Sequence, residues 1–321
     1  MSAYQLGLVM MACISVINVS GVFAITSLAG MFSLGQAGYM AIGSYVTFVL
    51  AYKFNVPIPL SSLVAVAAGS LAAWIISVPT LRLRRDYFAL LSVAFGQVVI
   101  SLIILFPDYT NGSIGFSRIP RIPGLFYIVI GLTALVVFCV RNLKYSRFGR
   151  MLIALKTDEI TARSFGIDVY RLKIKTYVLS SIIACIAGIL YGMRNRVIGP
   201  EAFGWAQSAE MQLFLFFGGT NSLTGSVIAA FFLKLLPEVF RGFVVFGKSL
   251  QEYRTVIYCV LIIFVINYRQ KGLMGEQELD YKKLYRVPAR FIGGLRRGRP
   301  AGRAGQGAGS AGDQGREGPG R

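Results

Sequence analysis

The sequence predicts an all-α polytopic membrane protein of about eight to ten transmembrane helices, with broken or short helices near the membrane midplane. Of its 321 residues, 55% are hydrophobic and 15% are charged, against about 25% charged in an ordinary soluble domain. Several apolar stretches reach the roughly 20 residues that cross a hydrocarbon core, among them 4–30, 58–80 and 87–106. This surplus of apolar residues requires a lipid solvent.

The first apolar segment is predicted to be a retained span, because no Lys or Arg precedes Lys53 and a secretion signal needs a basic start. Segment 39–52, with 14 residues, gives about 21 Å of helix, which is too short to cross alone. Segment 209–220 is shorter still. The other predicted spans are 124–140, 176–193, 223–240 and 254–268. If every segment crosses, the chain makes nine passages.

The basic residues orient these passages, because cytoplasmic loops carry an excess of Lys and Arg. With the loop 141–175 in the cytoplasm, 24 of the 33 basic residues lie inside, eight lie outside and Lys234 lies within a span. The N-terminus is then outside and the C-terminus is cytoplasmic. We interpret the net charge of +19 as a topology signal with attraction to anionic lipid, and we expect no nucleic-acid partner.

Residues 242–249, "GFVVFGKS", fit the phosphate-loop pattern G-x-x-x-x-G-K-[ST]. A phosphate loop works between a strand and a helix, so that backbone N–H groups converge on the phosphates. Here the pattern falls between two predicted spans on the outer side. We therefore expect no nucleotide site in this chain. The four cysteines lie in apolar runs and there is no His, so a metal site also has little support.

Residues 149–167 predict two short amphipathic helices across the cytoplasmic face. Thr157 is a candidate N-cap, Asp158 and Glu159 place negative charge in a first turn, and Gly166 is placed to end the helix in the left-handed conformation. Met151, Leu152 and Leu155 recur at helical spacing before it. Such a segment is either a connector resting on lipid headgroups or a docking surface for a cytoplasmic partner.

The spacing of six residues in this segment favours the docking surface, because it resembles the cytoplasmic coupling loop of ABC importer permeases. These residues are Gly149, Ala154, Asp158, Glu159, Ala162 and Gly166. Six further motifs occur in the order seen in the branched-chain amino acid permease family: "FSLGQAGYMAIGSY" (32–45), "LRLRRDYFALLSVAFGQ" (81–97), "GPEAFGWAQSAEM" (199–211), "FGGTNSLTGSVIAA" (217–230), "LPEVFRGF" (236–243) and "YRQKGLMG" (268–275). The resemblance covers about residues 20–275.

The resemblance implies a permease subunit of an ABC importer of the bacterial inner membrane, which is a transporter rather than an enzyme. It implies as partners two ATP-binding cassette subunits that bind the ATP, a second homologous permease subunit and a solute-binding protein. The cargo would be branched-chain or hydrophobic amino acids. Arg85 stands where such permeases usually have Gly, and Gln97 where many have Glu. These departures leave a related small solute open, such as urea or a short amide.

Two Gly- and Ser-rich stretches are predicted to interrupt helices at mid-membrane depth, where irregular backbone is tolerated only beside protein or a water-filled cavity. Discontinuous helices in corresponding places of two halves indicate a translocation path, although Gly and Ser also allow close helix packing. The candidate path residues are Ser33, Gln36, Gly38, Gln97, Gly218, Gly219, Asn221 and Ser222. Ser33, Gln36, Asn221 and Ser222 would present polar groups to the passing substrate, and the glycines would provide room.

Charged residues within spans need partners, since an unpaired charge costs at least about 2.5–3.5 kcal/mol there. We expect Lys234 to pair with Glu238 four residues later on one helix face, and Asp86 to neutralise part of the arginine cluster before it. Glu210 is expected at the outer mouth. An ion-coupled carrier would need titratable groups along its path, and Glu210 and Glu238 are the candidates for that alternative.

Residues 1–275 are predicted to form the permease domain, including the coupling loop 141–175, and residues 276–321 a basic cytoplasmic tail. From Gly293 the tail holds 11 Gly and six Arg, a composition typical of disorder. A membrane-anchored scaffold that uses this tail to contact lipid or nucleic acid is the second alternative function.

Overall fold

Helices make up almost all of the described chain, which confirms the all-α fold of a polytopic membrane protein. The computed structural model describes residues 3–81, 85–117, 119, 122–239, 244–245, 248–249 and 260. Two compact units divide the chain, 1–278 and 279–321, and all described residues belong to the first. The Gly/Arg-rich tail and, apart from Val260, the predicted span 254–268 lie outside the described residues.

The elements follow one another as helices joined by short links. In chain order they are α1 (Ala3–Val22), which continues as a π-helical segment (Phe23–Leu28), α2 (Gln36–Lys53), α3 (Ile58–Thr80), α4 (Arg85–Leu105), α5 (Pro107–Thr110), β1 (Phe116–Ser117), α6 (Leu125–Tyr145), α7 (Arg147–Thr157), α8 (Glu159–Ser164), α9 (Val169–Asn195), β2 (Val197–Ile198), a 3₁₀ turn (Pro200–Phe203), α10 (Trp205–Gly218), α11 (Leu223–Val239), β3 (Val244–Val245) and β4 (Lys248–Ser249).

Five helices of the described chain are long and apolar enough to cross a membrane: α1 with its π-helical continuation, α3, α4, α6 and α9. The first of these is 78% buried within the protein and α9 is 67% buried, whereas the other three are 17–28% buried. A helix that is apolar all round and surrounded by others is a core helix. The first span and α9 therefore form the centre of the bundle, and α3, α4 and α6 lie at its edge.

Helices α2 and α9 approach each other closely through small residues. A Cβ on Gly188 of α9 would overlap the carbonyl oxygen of Met40, and a Cβ on Gly43 of α2 would crowd the backbone of Cys185. Small residues at such contacts let two helix backbones come together inside a membrane. The α2–α9 contact therefore depends on the missing side chains at Gly43 and Gly188.

We expect Gly188→Ala to destabilise the protein, because the added methyl group meets backbone atoms that cannot rotate away. Overpacking of this kind costs about 1–3 kcal/mol. Gly131→Ala on α6 is the matched control, since a Cβ there has open space around it. Thermal unfolding of the purified protein in detergent measures both. Equal melting temperatures for the two variants would contradict the close α2–α9 contact.

Helix α9 begins earlier than the apolar pattern predicted, at Val169 instead of residue 176. The reason is that its first two turns carry Arg171, Lys173 and Lys175, which extend the helix beyond the hydrocarbon core. Asp168 caps this end by accepting a hydrogen bond from the N–H of Arg171 (3.0 Å). The apolar pattern therefore located the buried part of α9 and missed its charged start.

Two short antiparallel strand pairs complete the described chain. Strands β1 and β2 pair Phe116 with Ile198, at the end of the bundle where α9 finishes. Strands β3 and β4 pair Val245 with Lys248 within the segment that fits the phosphate-loop pattern. In a phosphate loop the Lys and Ser begin a helix, whereas here Lys248 and Ser249 lie in a strand. The local backbone thus differs from that of a phosphate loop.

Candidate coupling helices and translocation site

Helix α7 is joined to the end of α6 by a tight turn. The Ser146 hydroxyl accepts a hydrogen bond from the N–H of Gly149 (3.1 Å), which satisfies one of the open donors of a helix start. A Cβ on Gly149 would overlap the carbonyl oxygen of Leu143, so this position needs glycine. Leu152 and Leu155 are buried and pack α7 onto the bundle.

Helix α8 begins at a cap that differs by one residue from the prediction. Thr157 ends α7, and the cap of α8 is Asp158. The carboxylate of Asp158 accepts hydrogen bonds from the hydroxyl of Thr161 and from the N–H of Ile160 (2.9 Å). These bonds lower the pKa of the Asp158 carboxyl, and the bond from the Thr161 side chain has the largest effect. Asp158 therefore remains charged at the helix start, where negative charge is favourable.

Glu159 ties α8 to the start of α9. Its carboxylate contacts Lys173 of α9 at 2.7 Å and Arg163 of α8 at 2.7 Å. Partial burial raises the pKa of Glu159, but the hydrogen bonds and charges of Lys173 and then Arg163 outweigh this effect, and the net shift is downward. Ala162 is buried. Gly166 follows α8 with φ of +77°, which confirms the predicted left-handed helix end.

Helices α7 and α8, which we call the coupling helices, expose apolar side chains at an otherwise basic end of the bundle. Ile160 is 78% exposed and Phe165 is 81% exposed. Ile153 and Ala154 of α7 are also exposed. We call these four residues the coupling surface. An exposed apolar group of this kind, rimmed by charges, is typical of a protein-binding surface.

The first interruption of the helices lies between the π-helical segment and α2, where residues 30–35 are not helical. Its backbone is buried, and polar side chains from other helices satisfy it. Ser92 of α4 accepts a hydrogen bond from the N–H of Leu34 (2.9 Å), and Ser208 of α10 accepts one from the N–H of Ala37 (2.9 Å). Gln212 of α10 donates to the carbonyl oxygen of Ser33 (2.8 Å). Protein side chains therefore replace water around this irregular backbone, as membrane depth requires.

Gln36 stands at the start of α2 and is buried with Ser33. Its Nε2 donates to the hydroxyl of Ser180 on α9 (3.0 Å), which in turn donates to the carbonyl oxygen of Gly21 (2.7 Å). Ser180 is the twelfth of the 27 residues of α9, so Gln36 lies near the middle of that span. We call the polar side chains around this break the α2 polar cluster: Ser33, Gln36, Ser92, Ser180, Ser208 and Gln212.

Two amide oxygens of the α2 polar cluster are buried without a hydrogen-bond partner among the described residues. They are Oε1 of Gln36 and Oε1 of Gln212. The amide of Gln212 is oriented by Nε2, which donates to Thr26 (3.0 Å) and to Ser33. A buried polar atom without a partner costs about 1–3 kcal/mol. The cluster therefore presents two acceptors to any donor that enters it.

Gly38 and Gln97 occupy different surroundings. Gly38 is buried where α2 crosses α4, and a Cβ there would lie 3.0 Å from the Cα of Gly96. Gln97 is exposed on the outer face of α4. The structure thus brings Ser33, Gln36 and Gly38 to one region of the bundle and leaves Gln97 apart from it.

The second interruption separates α10 from α11. Gly218 packs closely on Gly225, and Gly219 has φ of +111°, a conformation that favours glycine. Ser222 caps α11 by accepting a hydrogen bond from the N–H of Gly225 (3.1 Å). Asn221 is exposed. These residues form a turn between two antiparallel helices.

Asn221 is bound by two lysines from the coupling end. Lys144 of α6 donates to its carbonyl oxygen (2.6 Å), and Lys156 of α7 donates to its side-chain Oδ1 (2.9 Å). Lys156 also covers Gly30 in the first interruption, where a Cβ would lie 3.0 Å from the Cγ of Lys156. Helix α7 therefore contacts both interruptions through a single side chain.

A cavity of about 440 Å³ lies between α7, the end of α6, the π-helical segment and the second interruption. Its polar lining includes Lys144, Lys156, Ser27 and Asn221. Burial and the nearby charge of Lys144 lower the pKa of the Lys156 ammonium group. A larger cavity of about 710 Å³ between α3, α6 and α9 is lined by apolar residues apart from Ser62, which suits lipid chains.

The charged residues within the helices pair differently from the prediction. Lys234 of α11 binds Glu210 of α10, with Nζ 3.0 Å and 3.2 Å from the two carboxylate oxygens. We expected Glu238 as the partner, and the structure shows the glutamate of the preceding helix instead. Both side chains are largely buried, at 17% and 12% exposed. The pair therefore neutralises two charges inside the bundle.

Several residues of these sites were not found from sequence. Ser92 and Gln212 lie in mid-helix between apolar neighbours, and Ser208 lies in the first turn of α10. The sequence signal for them is their polarity within a helix. The two lysines that bind Asn221 were interpreted from the sequence only as part of the basic cytoplasmic loop 141–175. Among the described residues no group of three His, Cys, Asp or Glu is placed to hold a metal ion.

The chain is similar to known transport proteins over most of its length. The family described as "Branched-chain amino acid transport system / permease component" matches residues 4–266. The high-affinity branched-chain amino acid transport system permease protein LivM of Salmonella typhimurium is 28% identical over 82% of this chain and 68% of its own length. LivM of Escherichia coli is 28% identical over 79% and 66%, so the chain spans about two thirds of these relatives. The permease protein LivH of Salmonella typhimurium is 25% identical over 81% of this chain and 91% of its own length.

Proposed function

This chain belongs to the branched-chain amino acid transport permease family, and from that premise we propose that it is one permease subunit of an ABC importer for branched-chain amino acids. Its partners in this proposal are two ATP-binding cassette subunits that bind ATP, a second homologous permease and a solute-binding protein. Its relatives are branched-chain amino acid transport permeases by name, which supports this cargo over urea or a short amide. The family is one of transporters and not a class of enzymes.

The observation that carries the proposal is the position of helix α7. Movement of α7 reaches both helix interruptions directly, because Lys156 contacts Gly30 and binds Asn221. Glu159 of α8 links the coupling helices to α9 through its ion pair with Lys173. An ATPase that moves the coupling surface would therefore displace the first interruption and the turn between α10 and α11. This is the arrangement that alternating access around discontinuous helices needs.

The proposed location is the bacterial inner membrane, with the N-terminus outside and the C-terminus in the cytoplasm. The support is the excess of Lys and Arg in residues 141–175 and in the tail. Tyr170 at the start of α9 donates a hydrogen bond to the carbonyl oxygen of Val78 near the end of α3 (2.7 Å). The end of α3 thus lies at the same end of the bundle as the coupling helices.

We further propose that the α2 polar cluster contacts the amino acid during transport. The two partnerless amide oxygens of Gln36 and Gln212 support this, because an amino acid carries an ammonium group with three donors. In this conformation the cluster is closed, since Gln36 and Ser33 are fully buried. The substrate would reach them when α7 moves the first interruption.

Gln36→Leu tests the role of the cluster. Loss of a hydrogen bond to a charged group costs about 1.5–3 kcal/mol, so we expect uptake at low substrate concentration to fall about tenfold or more. Ser70→Leu on α3 is the control, because Ser70 bonds only within its own helix among the described residues (2.8 Å to Ala67). Normal uptake by a stably folded Gln36→Leu protein would remove Gln36 from the path.

The proposed function is tested by reconstituting the chain with its partner subunits in proteoliposomes and measuring uptake of radiolabelled leucine. We expect uptake that needs ATP and that an uncoupler leaves unchanged. Uptake driven by an ion gradient without ATP would instead support the ion-coupled carrier. The pairing of Glu210 with Lys234 weighs against that alternative, because it neutralises one of the two carboxylates the carrier would use. Deleting residues 293–321 should leave transport intact and thereby exclude a scaffold role of the tail.

A further inference from the structure

The cavity between α7, the end of α6, the π-helical segment and the second interruption has the features of an anion site. Two lysine ammonium groups, of Lys144 and Lys156, line it from one side. Both donate to the single residue Asn221, one to its backbone and one to its side chain, so their positive charges are held close together. Two like charges in a half-buried place repel each other, and an anion between them would relieve that repulsion.

A second and independent observation comes from Ser27. Its side chain lines the same cavity and is only 3% exposed. Its hydroxyl has no hydrogen-bond partner among the described residues. A buried hydroxyl without a partner costs free energy, and a ligand oxygen in the cavity would remove that cost.

The volume and the lining of this cavity indicate the size and the chemistry of the ligand that would fit it. At about 440 Å³, the cavity falls within the roughly 300–1,000 Å³ of small-molecule sites. Phe23, Leu28 and Ile153 form an apolar wall of the cavity, and the Nζ of Lys144 lies 5.5 Å from the centre of the Phe23 ring. The nearest acidic residue along the chain, Asp158, turns its carboxylate to the start of α8. The site therefore combines positive charge with an apolar wall.

We propose that this cavity binds the carboxylate of a branched-chain amino acid on the cytoplasmic side of the path, a deepening that rests on the proposed function above. The carboxylate would accept hydrogen bonds from Lys156, Lys144 and the hydroxyl of Ser27, and the aliphatic side chain would lie on the apolar wall. An ammonium group has three donors, and Asn221 takes one of those of Lys156. The bound amino acid would then tie α7 to the π-helical segment and to the second interruption.

The test is equilibrium binding of radiolabelled isoleucine to the full-length chain, purified with its partner subunits in nanodiscs of zwitterionic lipid without the solute-binding protein. We expect isovalerate, which keeps the carboxylate and the branched chain, to compete, and isoleucinamide, which lacks the carboxylate, not to compete. Lys156→Met should weaken binding about tenfold or more, as expected for the loss of a charge-assisted hydrogen bond. Lys175→Met is the control, because Lys175 is exposed on α9 and lies outside the cavity lining.

Two further results would overturn the proposal. Equal competition by isoleucinamide and isovalerate would show that the carboxylate is not recognised. Displacement by inorganic phosphate, or by changing to anionic lipid, without an effect of isovalerate, would assign the site to a phosphate headgroup. Lys156→Arg, which keeps the charge, should retain most binding if Lys156→Met fails to fold. ATP-driven uptake by the same complex, reconstituted in proteoliposomes with the solute-binding protein, separates the outcomes, because uptake without this binding rejects the site and leaves the proposed function standing.

Discussion

Replacing Ile160 and Phe165 with Asp is expected to abolish ATP-driven uptake while the chain remains folded in the membrane. Both side chains are largely exposed, at 78% and 81%, and make up most of the coupling surface. A few well-packed residues at the centre of an interface each contribute about 2 kcal/mol or more (roughly 30-fold in affinity), and the high exposure of these two side chains makes them the candidates here. Two buried aspartates would add a desolvation cost. Leucine uptake and co-purification of the ATPase subunits measure the effect.

Ile114→Asp provides the matched control for that double variant. Ile114 is 84% exposed and precedes β1, at the opposite end of α9 from the coupling helices. It should keep both uptake and the bound ATPase subunits. Uptake by the Ile160→Asp/Phe165→Asp protein equal to that of Ile114→Asp would contradict the role of the coupling surface.

Removal of Lys234 is expected to cause the largest loss of stability by a single substitution. Lys234→Ala leaves the Glu210 carboxylate, 12% exposed, without the lysine it binds. Breaking one side of a buried ion pair costs about 3–5 kcal/mol, whereas replacing both partners with neutral groups is often nearly neutral. We therefore expect a strongly lowered melting temperature for Lys234→Ala and substantial recovery for Lys234→Met/Glu210→Gln.

The ion pair between Arg171 and Asp168 serves as the control for this cycle. Its side chains are 79% and 54% exposed, and a surface pair contributes about 0–1 kcal/mol. Arg171→Ala should therefore change the melting temperature little. A Lys234→Ala protein as stable as Arg171→Ala, or no recovery in the double variant, would contradict a stabilising contact between α10 and α11.

The apolar runs predicted the spans well because lipid selects for length and hydrophobicity over a whole segment. The predicted segment 58–80 became α3, and 124–140 became α6. Charged helix ends were harder to predict, as with the start of α9, because a helix can continue into the aqueous layer. The sequence located α7 and α8 correctly. A helix cap depends on a single side chain, however, and the cap of α8 is Asp158 and not the predicted Thr157.

The contacts within the candidate site could be predicted only in part. The motif of the first interruption identified Ser33 and Gln36, but Gln212 donates to Ser33 from 179 positions away in the chain. By sequence spacing alone, Lys234 could pair with Glu238 on its own helix. It pairs with Glu210 because α10 and α11 pack against each other. Asn221 likewise meets Lys156 across 65 positions. Such pairs follow from tertiary packing, which local patterns do not specify.

Transport driven through the coupling helices is tested most directly by measuring on which side of the membrane α8 lies. A Phe165→Cys protein, with the four native cysteines replaced by Ser, would be treated with an impermeant maleimide in sealed cells and in inverted membrane vesicles. The account predicts labelling in the inverted vesicles and none in the sealed cells. Labelling of sealed cells would place α8 outside, where no ATPase can reach it, and would contradict transport driven through the coupling helices.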